Sequence, residues 1–104
     1  LERMSPFVRI QINDFEWRSP KKDQGGAQVH WDFACMEFEV FDMGHKMHIQ
    51  VKDHNGPLDN EPIGHANIDV GFFARPGGCE EWVEIHHMGA PAGRVHFRSE
   101  FIPN

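Results

Sequence analysis

The sequence predicts an all-β fold, an antiparallel sandwich or barrel of six or more short strands, and three observations carry that expectation. Apolar and polar residues alternate with a period of two in run after run. No segment sustains the apolar stripe of an amphipathic helix. Clusters rich in Gly, Pro, Asp and Asn stand between the runs: SPKKDQGG, DMGHK, HNGP, ARPGG and GAPAG. A chain of 104 residues is long enough for one modest core and suits a single domain.

Taken in order, PFVRIQI sets Val8, Ile10 and Ile12 on one side and Phe7, Arg9 and Gln11 on the other. MEFEV alternates Met36, Phe38 and Val40 with Glu37 and Glu39. In KMHIQVK, Met47, Ile49 and Val51 face in while His48, Gln50 and Lys52 face out. HANIDV offers Ala66, Ile68 and Val70, and EWVEIH sets Trp82 and Glu84 against Val83 and Ile85. RVHFRSEF closes the chain, with Val95, Phe97 and Ser99 against His96, Arg98 and Glu100. Trp31 and Trp82 are assigned to the core on size and apolarity. Of Phe72 and Phe73, one is expected to pack inward and the other to stand exposed.

Composition excludes several classes of function. No apolar run approaches the ~20 residues of a membrane-spanning helix. The net charge of −6 and the scatter of basic residues disfavour nucleic acid, whose binders concentrate positive charge on one face. Strong attraction to anionic lipid is disfavoured on the same ground. Cys35 and Cys79 are the only cysteines, and without a secretion signal free thiols in a cytoplasmic protein are expected, with Cys79 in a loop.

The stretch HIQVKDHNGPLDNEPIGHANIDV, residues 48–70, reads as strand, polar loop, strand. It holds Asp53, Asn55, Asp59, Asn60 and Glu61, five oxygen-bearing side chains within nine positions. Two chemistries suit such a loop. Carboxylates can gather around a hard cation, and Asp and Asn can cap a turn through hydrogen bonds to the backbone.

The order Val51, Asp53, Asn55, five residues, Glu61, Ile63, Gly64 resembles the third calcium-binding loop of the C2-domain family. Three flanking segments match in the right order. MSPFVRI resembles the Asp-Pro-Tyr-Val strand of that family, with Ser5 in place of its aspartate. HWDFACMEFEV resembles its Trp-Asn-x-x-Phe-x-Phe-x-Val segment with one extra residue. EEWVEIHHMGAPAGRVHFRSEF resembles its closing pair of strands. The likeness runs from Ser5 to Phe101 and implies a C2-like antiparallel β-sandwich of seven to eight strands. The family's usual first strand has no counterpart in the four residues before Ser5, so it lies outside this stretch or another segment fills that edge. A rival alignment reads MSPFVRIQINDFEW as the first strand, as in some novel protein kinase C domains, and leaves the next strand harder to place.

Calcium-binding members combine two aspartates near the first loop with three from this loop. Here the resemblance implies Asp53, Asn55 and Glu61 as the third-loop ligands, only two of them carboxylates, while Ser5 replaces a first-loop aspartate. Affinity is then expected at ~0.1–1 mM or weaker, and the loop reads as a degenerate site. Leu58, at the loop tip, stands where lipid-binding relatives insert a side chain. Burying one leucine contributes ~1.5–3 kcal/mol, too little to hold a protein on a bilayer alone.

EWRSPKKD carries Trp17, Arg18, Lys21 and Lys22, a candidate contact surface for lipid or a partner, expected in a turn. Relatives bind phosphoinositide head groups on a lysine-rich sheet face. Eight histidines open a metal-enzyme hypothesis, but no His-Glu-x-x-His or paired-cysteine spacing supports it. His48 and His96 face outward on strands, and His86 and His87 point to opposite faces. Cys35 and Ser5 are the notable nucleophiles, and nothing resembles a nucleophile elbow or a phosphate-cradling loop. The sequence therefore predicts no enzyme and no cofactor. It predicts a calcium-independent, C2-like module for protein–protein contacts, with weakly calcium-dependent binding to anionic phospholipid at a membrane as the alternative.

Overall fold

The computed structural model describes residues 5–21, 37–38, 42–54 and 60–102. Among the described residues there are six strands: β1 (Pro6–Ile12), β2 (Phe15–Arg18), β3 (Lys46–His54), β4 (Asn60–Asp69), β5 (Cys79–His87) and β6 (Ala90–Ser99). A 3-10 turn, Val70–Phe72, follows β4. All six join one antiparallel sheet in the order β2-β1-β3-β4-β5-β6. The all-β, antiparallel expectation holds. MEFEV lies largely outside the described residues, of which Phe38 is half-buried against the core and Glu37 is exposed.

Alternation sets the buried face. Trp17, Ile10, Ile49 and Ala66 form one row across β2, β1, β3 and β4, and Val8, Val51 and Gly64 form the next. Ile10, Ile49 and Val70 are fully enclosed, and Val83 and Ile85 of β5 belong to the same cluster. Val95 and Phe97 of β6 pack against it, and the Phe97 ring meets that of Phe73 at 5.5 Å between centroids. Phe7 is buried as well, although alternation places it on the outer side. Phe73 packs inward and Phe72 stands exposed, so the pair divides as expected and the structure says which is which.

β4 and β5 share one register pair, His65 with His86, whereas β3–β4 and β5–β6 are paired along their lengths. Gly64 shows how closely the two parts of the sheet approach. A β-carbon there would stand 3.0 Å from Ile85 Cδ1 and 3.1 Å from Ala92 Cβ, so the absence of a side chain is what admits β5 and β6.

Two-residue turns close the β1–β2 and β5–β6 hairpins. Asn13 takes φ +50° between β1 and β2, a conformation that asparagine tolerates. Met88 and Gly89, both at positive φ, join β5 to β6 in the manner of a type I′ turn. The sequence marks GAPAG as that turn, but β6 already begins at Ala90. Cys79, expected in a loop, opens β5 as a free thiol. MSPFVRIQINDFEW holds two strands, β1 and β2, parted by a turn at Asn13 and Asp14.

Candidate functional site

Three segments meet at one end of the sheet. Pro6 of β1 stands opposite Asp53 of β3, and Asp53 stands opposite Glu61 of β4. The Ser5 amide donates to Asp53 Oδ1 at 2.7 Å, and the His54 amide donates to the Ser5 carbonyl at 3.0 Å. The positions that the C2 resemblance singles out, Ser5, Asp53 and Glu61, therefore converge, Ser5 and Asp53 from 48 residues apart in sequence.

The carboxylates lie in strands, not in the loop. Pairing of β3 with β4 continues through Asp53–Glu61 to His54–Asn60, past a register shift between Val51 and Lys52. Directly opposed side chains in such a ladder hold their β-carbons about 4.5–5.5 Å apart, so the like charges of Asp53 and Glu61 face each other. Asp53 is half-buried and Glu61 is exposed. Asn55 and Leu58 fall outside the described residues, as does Asp59.

Calcium needs six to eight oxygens. The described donors supply two carboxylates, one of which already accepts a backbone N–H. No group of three or more His, Cys, Asp or Glu side chains is placed to hold a metal ion among the described residues. Among the described residues these donors alone fall short of a calcium shell, and the loop between them lies outside those residues.

The predicted contact cluster separates. Trp17 turns to the inner face and packs on the core, while its neighbour Arg18 lies on the outer face of β2. Arg18 is thus on a strand rather than in a turn, and its guanidinium stands 3.4 Å from Glu16. Lys21 is exposed beyond β2, and Lys22 falls outside the described residues.

Register assembles a different basic row on the outer face: Arg18, Arg9, Gln50, His65 and His86, across five strands. Arg9 donates to Gln50 Oε1 at 2.7 Å and pairs with Glu16, whose carboxyl it holds below the usual range. His48 meets His65 edge to face, 5.7 Å between ring centroids. Burial, and after it the charge of His65, pushes the His48 imidazole below its ordinary pKa.

A second surface, missed in the sequence, covers the outer side of the β5–β6 hairpin. Trp82 is 58% exposed, so its assignment to the core is overturned; Val83 and Ile85, of opposite parity, hold the buried positions. Its ring meets that of its cross-strand partner His96 at 4.8 Å, and the Arg94 guanidinium stands 4.5 Å from the ring centroid. The alternation of EWVEIH carries the signal for this, and the size of tryptophan overrode it. Trp31 lies outside the described residues.

The family model for the C2 domain matches residues 1–85, and the chain belongs to that family. Its members are in general non-catalytic binding modules. No curated protein matches the chain.

Proposed function

We infer that this C2 domain is a non-catalytic module that makes protein contacts without calcium. The Ser5–Asp53 hydrogen bond carries this reading: a carboxylate that would serve calcium instead ties the start of β1 to the end of β3. The exposed Trp82–Arg94–His96 surface supports contact with protein, because tryptophan and arginine are enriched at the energetic centres of interfaces.

The outer face with Arg9, Arg18, Lys52, His48 and His65 supports a second reading, calcium-independent binding of anionic phospholipid. Co-sedimentation with phosphatidylserine vesicles, with and without about 1 mM calcium, tests both. The first reading expects the protein in the supernatant under both conditions. Calcium-dependent pelleting would overturn it. Calcium-independent pelleting that is lost in an Arg9→Glu, Lys52→Glu variant would establish the second reading in its place.

A further inference from the structure

The outer side of the β5–β6 hairpin sorts its charges by strand. Glu80, Trp82 and Glu84 of β5 stand in register with Arg98, His96 and Arg94 of β6, and all six side chains are exposed. Acids therefore occupy one column and bases the other, with the tryptophan–histidine pair between them. A two-fold axis running along the strands, midway between β5 and β6, carries each column onto the other without changing its row. Glu80 then meets Arg98 of a second copy, Glu84 meets Arg94, and Trp82 meets His96.

We propose that this face is a homodimer interface, an isologous contact between two copies of the chain across that axis. The proposal rests on the reading of the domain as a protein-contact module and names the partner as a second copy. Pairing of opposite charges row by row fixes orientation, and the central tryptophans supply apolar area. Pairs already made within one copy, such as His96 with Glu80 at 3.1 Å, are solvent-exposed and give way at small cost. The hairpin tip adds Met88, 91% exposed. A two-strand face of this length buries on the order of 600–800 Å² in total, the range of weak contacts, so association is expected at hundreds of micromolar.

Charge exchange tests the geometry. Sedimentation velocity on the wild-type chain from about 10 μM to 1 mM is expected to show a concentration-dependent dimer. Glu84→Arg alone sets arginine against arginine, and Arg94→Glu alone sets glutamate against glutamate, so each variant is expected to remain monomeric. An equimolar mixture of the two restores both pairs and is expected to form a heterodimer, which also shows that each variant is folded. Trp82→Ala is expected to shift dimerisation at least tenfold in concentration. A wild-type chain monomeric throughout the range overturns the proposal, as does a dimer indifferent to both charge reversals or a mixture that stays monomeric. Those outcomes leave the calcium-free protein-contact reading to its vesicle test.

Discussion

Replacing Asp53 with alanine distinguishes a structural carboxylate from a cation ligand by the sign of its effect. The substitution removes the acceptor for the Ser5 amide, a partly buried bond of 2.7 Å. Hydrogen bonds to charged groups contribute about 1.5–3 kcal/mol. Relief of the opposition between Asp53 and Glu61 returns a few tenths of that, as for like charges directly opposed in a ladder. The net loss is about 1–2 kcal/mol, which at about 4–8 °C per kcal/mol for a domain of this size lowers Tm by roughly 5–15 °C. Thermal unfolding followed by circular dichroism in chelator reads this directly. Asp53→Asn keeps an oxygen acceptor and is expected to lose about half as much. A ligand held mainly for calcium would behave in the opposite way: without metal, removing one of two facing carboxylates would raise Tm. A stabilised Asp53→Ala variant would refute the structural role.

Three further outcomes follow from the packing and the charges. Ile49→Ala, at a fully enclosed centre of the sheet, is expected to cost about 2–5 kcal/mol, read as a lower urea midpoint with an unchanged m-value. Gly64→Ala places a methyl group 3.0–3.1 Å from Ile85 and Ala92 and is expected to cost about 1–3 kcal/mol in the same assay. The depressed pKa of His48 means that the unfolded chain binds its proton more readily than the folded one. Stability from this group is therefore complete above the unfolded value of about 6.5 and is lost as pH falls through the lowered folded value. Midpoints measured across that window are expected to fall less steeply with acid in His48→Gln.

The parts of the fold legible in the sequence are those where one physical rule acts alone. β1 and β3 are half-buried strands, so their period of two survives intact, and Val8, Ile10, Met47 and Ile49 are buried as alternation requires. β2 was not legible because FEWR is four residues long and is flanked by turn residues on both sides. The limits of the polar loop were misjudged for a related reason. Asp53 and Glu61 look like loop residues by composition, yet ladder pairing carries them into the strands. Trp82 shows the contrary error, where apolarity was set above parity. Of the candidate site, the spacing of Asp53 and Glu61 was readable from the motif. The bond from Ser5 was not, because it is backbone to side chain across 48 residues and leaves no compositional trace.

Whether this C2 domain holds calcium at the Ser5–Asp53–Glu61 end is read by a two-dimensional amide NMR titration. For a calcium-free module, a flat response of the Ser5, Asp53, His54 and Glu61 amides is expected as calcium rises to several millimolar, beyond the ~0.1–1 mM range of weak extracellular modules. Saturable shifts of those amides at sub-millimolar calcium would contradict it.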